Sequence, residues 1–200
     1  MAILVDFEAT CWDKDEKHKQ GNAEIIEIGA VAVDGEYQVL SEFSTFIRPV
    51  KEPVLSEFCR SLTGIEQREV DKALKFNDGI QCFYHWILTS RTERDYAIYT
   101  WGNYDRSLLR RNFRMNKCKN GGMSNIIHGK MIDLQEIFLK TVTLQYSSCS
   151  MSMALSIIGE CFQGKKHSSL DDARNLLKLY RFLYETNSKK NSYWFNVKQN

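Results

Sequence analysis

Ile3-Leu4-Val5-Asp6-Phe7-Glu8-Ala9-Thr10 decides how this chain is read. An apolar run of branched residues ahead of the acids predicts a strand over 3–10. Strand side chains alternate, so Asp6 and Glu8 share one face while Val5, Phe7 and Ala9 take the other. Two neighbouring buried carboxylates repel and resist ionisation unless a cation sits between them. Oxygen donors of this kind select Mg²⁺ or Mn²⁺ rather than zinc. Taken alone, the pair is better read as a strand end that reaches solvent, where such acids are common.

Working outward, residues 11–22 form a polar loop dense in charge, and 24–33 (E-I-I-E-I-G-A-V-A-V) a second strand. Asp34-Gly35 marks a hairpin turn. Residues 37–47 form a third strand, closed by Arg48-Pro49, so the chain starts antiparallel. Helices are predicted over 54–62, stopped by Thr63-Gly64, and over 66–73 and 77–89. A fourth strand covers 95–101, and Asn103 can cap a helix running through Phe113. Residues 117–130 read as a Gly-containing loop, and 131–142 and 151–159 as helices. The clearest helix is 169–185, with Leu170, Ala173, Leu177, Tyr180 and Tyr184 on one stripe. From Ser188 the chain reads as a polar tail with Tyr193-Trp194-Phe195 as its anchor. This order predicts an α/β fold, a mixed sheet with helices on its faces. It is expected to be one domain over 1–200, with its core over about 2–185.

The whole-chain properties are permissive. Two hundred residues bury a real core, and 43% hydrophobic with 26% charged residues is ordinary for a globular protein. Six scattered cysteines without C-x-x-C spacing argue against a zinc cluster. The apolar opening is too short for a secretory signal, and no run reaches the roughly 18 apolar residues of a membrane span. Reduced thiols in a cytoplasmic protein are the expectation, with the nucleus open in a eukaryote. The formal charge is +2. With four acids held by metal, the remaining charge would be basic, which suits a polyanionic partner.

Three further residues answer the first pair. Asp105, in Thr100-Trp101-Gly102-Asn103-Tyr104-Asp105, falls in the first turn of a helix that follows a strand. An acid there can simply favour the positive helix end. Sites in α/β sheets also gather where strands end and helices begin. Asp172 ends Ser169-Leu170-Asp171-Asp172, an S-x-x-D capping pattern that would account for it without further function. Capping leaves His167 unexplained. A histidine beside a carboxylate site can take a proton near neutral pH.

D-F-E-A-T at 6–10, an Asp opening a mid-chain helix, and H-x-x-x-x-D at 167–172 together resemble the DEDDh exonucleases of the ribonuclease H-like fold. The resemblance spans residues 2 to about 185. Residues 24–31, Phe58-Cys59-Arg60-Ser61-Leu62-Thr63-Gly64-Ile65 and 167–175 look like the branch containing the enhancer-of-RNA-interference and 3′ histone-mRNA exonucleases. It implies that Asp6, Glu8, Asp105 and Asp172 hold two Mg²⁺ ions, with Mn²⁺ able to substitute. Asp171 is then a neighbour rather than a ligand. Paired ions of this kind clamp the attacking and leaving oxygens of an in-line displacement. His167 is then the general base. The implied reaction releases nucleoside 5′-monophosphates from the 3′ end of single-stranded nucleic acid, RNA favoured and DNA also open. Thr10, Phe58, Leu62, Tyr104 and His167 match substrate positions, with Phe58 and Tyr104 flanking the terminal base. Tyr104 stands where the animal relatives have tryptophan. Core packing remains an equal reading for Phe58, and Leu62 and Ile65 fit either the pocket wall or the core.

Lys165, Lys166 and Arg174 beside His167, and Arg110, Arg111 and Arg114 on the helix after Asp105, can all meet phosphates, with a solvated helix face the favoured reading for the three arginines after Asp105. Three alternatives stay open: an oligoribonuclease, a DNA-trimming exonuclease and a catalytically silent nucleic-acid-binding module. The last predicts a missing ligand or histidine, and all five positions are filled.

Overall fold

The computed structural model describes residues 1–15, 21–90, 96–118, 123, 127, 129, 131–142 and 148–197, with side chains to residue 185. β1 (Ala2–Ala9), β2 (Ile25–Val33) and β3 (Val39–Arg48) form the expected antiparallel meander. β4 (Leu74–Lys75) adds a two-residue parallel edge to β3. β5 (Ala97–Thr100) runs parallel to β1, and β6 (Met131–Asp133) parallel to β5. The order across the sheet is β4-β3-β2-β1-β5-β6. The helices are α1 (Glu57–Thr63), α2 (Gln67–Lys72), α3 (Phe76–Ser90), α4 (Tyr104–Met115), α5 (Leu134–Thr141), α6 (Met151–Ile157) and α7 (Ser169–Val197).

Alternation along β1 divides the core in two. Ile3, Val5 and Phe7 pack on one face with Ile80, Phe83 and Ile87 of α3 and Leu108, Leu109 and Phe113 of α4. Ala2 and Leu4 face the other way, against Leu134 and Phe138 of α5, Ala154 and Leu155 of α6, and Ala173, Leu176, Leu179 and Leu183 of α7. Each large aliphatic side chain so buried contributes about 1.5–3 kcal/mol. Asp6 and Glu8 continue the row begun by Ala2 and Leu4, so they lie on the face that α7 covers. A smaller cluster of Ile26, Leu55, Cys59, Ile65 and Val70 docks α1 and α2 against β2. The sheet is thus covered on both faces, as the sequence implied.

Local chemistry sets the ends of several elements. The β2–β3 turn spans more than Asp34-Gly35: Asp34 Oδ1 accepts the N–H groups of Glu36 and Gln38, each at 2.9 Å, and Tyr37 has φ 62°. Gly64 closes α1 at φ 66°, its N–H donating to the Arg60 carbonyl at 2.8 Å. Asn103 occupies the N-cap position of α4, but its side chain makes no capping bond.

Four expectations change. Residues 131–142 are not one helix: 131–133 form β6, and Asp133 then caps α5 through the Gln135 and Glu136 N–H groups. A three-residue strand shows no periodicity, so only pairing with β5 reveals it. β4 escapes notice for the same reason. Within 117–130, Met123, Ile127 and Gly129 are helical, and Met123 and Ile127 are buried in the α3–α4 core; most of that stretch lies outside the described residues. Finally, the backbone of α7 continues to Val197 through the polar segment read as a tail. A formed helix propagates through polar residues without needing a new nucleus. The suggested anchor at 193–195 lies outside the described side chains.

Candidate active site

The site forms where the C-terminal end of β1 meets the first turns of α4 and α7. β1 supplies Asp6 opposite Gly29 of β2, and Glu8 opposite Glu27. Gly29 is glycine because α7 begins on top of it: a Cβ there would come within 2.2 Å of the Ser169 carbonyl carbon and the Leu170 nitrogen. Glu27 then fixes the helix start, accepting the Ser169 N–H at 2.9 Å. Helix and strand therefore meet closely enough for Asp172 to face Asp6 and Glu8. One carboxylate oxygen from each of these three lies within 4.8 Å of the others.

Asp105 completes the cluster from α4. Its approach is set by the loop after β5, where the Gly102 N–H donates to Asp133 Oδ1 at 3.0 Å and Trp101 Nε1 to the Cys149 carbonyl at 3.0 Å. Asp105 is 5% exposed. Among the charges acting on Asp6, its effect is the largest.

Burial and mutual repulsion shape the titration of every acid. Asp6 is raised well above the carboxylate range by burial, then by Asp105, Asp172, Glu8 and Glu27. Burial, with Asp172 and Glu27 next, lifts Glu8 to about 8. Asp105 is lifted to about 8 by burial, then by Asp172 and Asp133. Asp172 rises only to about 6, because the backbone N–H groups of His167 and Ser168 donate to its carboxylate and offset burial. No lysine or arginine forms an ion pair with Asp6, Glu8, Asp105 or Asp172 among the described residues. Four carboxylates that oppose one another's ionisation make a donor set suited to a hard divalent cation.

His167 stands at the rim of the cluster. Its Nδ1 is 4.0 Å from Glu8 Oε1, and its side chain is 50% exposed. The backbone holds it at φ 61°, in the turn that leads into α7. Burial, and then the charge of Lys166, lower its pKa from the ordinary imidazole value. The imidazole is thus biased toward its neutral form, which can accept a proton.

The five expected catalytic positions come together, with one shift in the capping account. Ser169 is already helical, and Ser168 precedes it. Asp171 Oδ2 accepts the Lys165 N–H at 2.9 Å, and Oδ1 accepts from Arg174 Nη1 at 2.9 Å. Asp171 therefore braces the turn and leaves Asp172 to face the cluster. Arg174 is also held by Glu42 through two contacts, of 2.9 and 2.6 Å. It is a strut between α7 and β3 rather than a free cation.

Beside the acids lies a cavity of about 640 Å³ lined by the loop after β1 together with Ala23, Phe58, Tyr104 and Arg111. Thr10 and Cys11 belong to that loop. Phe58 is 41% exposed and Tyr104 58%, so Phe58 is no core residue. Thr10 also ties β1 to β2, its hydroxyl accepting the Glu24 N–H at 2.9 Å. Leu62 lies one turn beyond Phe58, 38% exposed and outside the cavity lining, and Ile65 is core.

The structure adds residues whose roles the sequence did not indicate. Glu27 was visible only as an acid within an apolar strand; its place opposite Glu8 needs the strand register. Asp133 acts through the Gly102 loop, which sequence distance conceals. Arg111 separates from Arg110 and Arg114: those two are exposed, whereas Arg111 turns into the cavity.

Comparison with known proteins gives a consistent picture. An exonuclease family model, RNase T, matches residues 3–180. The chain is 33% identical over 190 residues to the 3′-5′ exonuclease Snipper of Drosophila melanogaster, covering 87% of this chain and 66% of that protein. It is 33% identical over 198 residues to ERI1 exoribonuclease 2 of Xenopus laevis, covering 88% of this chain and 27% of that protein. The chain therefore spans just under two thirds of the first relative and about a quarter of the second. The crystal structure of the nuclease domain of 3′hExo, a DEDDh family member bound to rAMP, superposes with a TM-score of 0.82 at 26% identity, covering 92% of each chain.

Proposed function

The chain belongs to the RNase T exonuclease family, and from that premise we propose that it is a metal-dependent 3′-to-5′ exonuclease that shortens single-stranded nucleic acid, RNA in preference to DNA. The observation that carries this reading is the grouping of Asp6, Glu8 and Asp172, with Asp105 acting on Asp6 from α4 and His167 at the rim, beside a cavity walled by aromatic side chains. Asp6, Glu8, Asp105 and Asp172 would hold two Mg²⁺ ions, with Mn²⁺ as a substitute. When bound, such ions polarise the phosphodiester and stabilise charge on the attacking and departing oxygens.

The remaining work falls to side chains of this protein. His167 accepts the proton of the attacking water, and its lowered pKa keeps it unprotonated for that task. Phe58 and Tyr104 flank the terminal base by stacking, which tolerates any sequence. The close packing of α7 on Gly29 holds Asp172 against Asp6 and Glu8. Cleavage on the 5′ side of the terminal phosphate releases a nucleoside 5′-monophosphate. Snipper and ERI1 exoribonuclease 2 are named as 3′-5′ and RNA-directed enzymes, which supports the same polarity and the same sugar here. No helix among the described residues is long and apolar enough to cross a membrane.

The test is a time course on matched RNA and DNA strands labelled at the 3′ or the 5′ end, with Mg²⁺ or chelator. The expected result is a ladder shortening from the 3′ end, faster on RNA and abolished by chelator and by Asp6→Asn. Digestion by Asp6→Asn as fast as by wild type would overturn the reading.

A further inference from the structure

Tyr104 is a cavity wall with little apolar support. Its side chain is 58% exposed, and its ring meets no other aromatic ring among the described residues. Exposed side chains change rotamer on a ps–ns timescale. A base that stacks on such a ring has to order it first, and that ordering weakens binding.

Arg111 meets the ring from within the same helix. Tyr104 and Arg111 are seven residues apart on α4, so they share one side of it, about 10 Å apart along its axis. Helical side chains lean toward the N-terminus, which carries the guanidinium back toward Tyr104. There it contacts the Tyr104 hydroxyl. A guanidinium has N–H donors and no acceptor, so the phenol oxygen accepts. Both side chains line the cavity beside the acids.

This contact is held in a setting that otherwise disfavours an arginine. Nε and Nη2 of Arg111 are shut off from solvent and have no hydrogen-bond partner among the described residues. Arg111 forms no ion pair among them either. Buried donors without partners destabilise a fold, and folded proteins rarely keep them. The guanidinium is thus spent on the hydroxyl of an exposed ring rather than on the fold around it. Its base is firm. Asn112, the next residue, accepts the Ile25 N–H at 3.0 Å and donates to the Ala23 carbonyl at 3.2 Å, which pins α4 at this turn to the start of β2.

We propose that Arg111 is a positioning residue: it fixes the Tyr104 ring as a standing wall of the cavity, so that the 3′-terminal base stacks on a surface already in place. This rests on the exonuclease reading above. Asp105 follows Tyr104 in the same helical turn, so a fixed ring also has a fixed place relative to the acids. Arg111 acts only through the Tyr104 hydroxyl and touches neither base nor phosphate.

The experiment measures KM and kcat on a short single-stranded RNA in Mg²⁺ for the full chain, as wild type, Tyr104→Phe, Arg111→Met and the double variant. Tyr104→Phe keeps the ring and removes the acceptor; Arg111→Met keeps an unbranched stem and removes the donors. Each single variant should raise KM about fivefold, the lower end of what one stacked base contributes, with kcat within about twofold of wild type. That split marks lost binding rather than lost chemistry. The double variant should raise KM no further than either single one, because both remove the same contact. Losses that multiply in the double variant overturn the proposal, since Arg111 then acts apart from the hydroxyl. A fall in kcat with KM unchanged also overturns it, because Arg111 then supports Asp105 rather than the ring. Where Arg111→Met does not fold, Tyr104→Phe decides alone, and a wild-type KM in that variant overturns the proposal. In each of these cases wild type still shortens RNA from its 3′ end, and only the role of Arg111 fails. RNA left intact by wild type fails the exonuclease reading and this proposal with it.

Discussion

Replacing Asp105 by asparagine should stabilise the metal-free protein while abolishing its activity. The carboxyl of Asp105 is displaced from 3.8 to about 8, so the fold favours its protonated form. An acid whose pKa is raised on folding contributes its full stability below the unfolded value, near pH 4, and loses it as pH rises toward about 8. Metal-free wild type should therefore weaken across that window. At pH 7 the displacement in play is about three units, or about 4 kcal/mol at about 1.4 kcal/mol per unit. The same repulsion is felt by Asp6, Glu8 and Asp172, so about half of it, about 2 kcal/mol, is assigned to Asp105 alone. In a domain of this size that is about 4–8 °C in melting temperature.

The assay is thermal melting of wild type and Asp105→Asn in chelator at several values between about pH 4.5 and pH 7.5. The variant should melt near wild type at the acid end and above it at the neutral end. Added Mg²⁺ should reverse the order, because a cation relieves the repulsion only where all four carboxylates are present. A variant that melts below wild type at neutral pH in chelator, or a difference that does not grow with pH, would refute this account of the cluster.

His167→Asn should lower the hydrolysis rate by about 10²–10⁴-fold with little change in melting, since asparagine tolerates positive φ and the side chain is half exposed; a rate near wild type would remove His167 from its role. Lys166 helps hold the His167 pKa down, so Lys166→Glu should move the acid limb of the pH–rate profile to higher pH, and an unmoved limb would mean that another group sets it. Gly29→Ala drives a methyl group into the backbone of 169–170 and should cost about 3 kcal/mol in denaturant unfolding; unchanged unfolding would contradict the close approach of α7. Phe58→Ala should weaken strand binding by about 1–3 kcal/mol without lowering the melting temperature, and a large loss of stability would return Phe58 to the core.

The site was legible where chemistry and chain position coincide. Asp6 and Glu8 stand out because alternation puts two acids in the row that Ala2 and Leu4 begin. Asp105 follows from the strand-to-helix transition, and Asp172 from its spacing after His167. What remained hidden depends on neighbours that only folding supplies. Glu27 has no role until β2 is aligned opposite Glu8. Arg111 is one of three similar arginines until the cavity is seen. The strand at 131–133 is three residues long and pairs with β5 across thirty residues of chain. The polar residues after 185 carry no apolar stripe, so nothing in their pattern announced that the helix would continue.

The seat of α7 on Gly29 has a consequence for the chain while it is being made. Asp6, Glu8 and Asp105 leave the ribosome well before His167 and Asp172. The last two reach the acids only when the turn at 167–169 has docked on β2. A nascent chain therefore carries an incomplete set of groups until the turn at 167–169 has been made and docked. The segment at 6–10 waits for the one at 167–172, so the docking of α7 is also the step that brings the last of these groups into place.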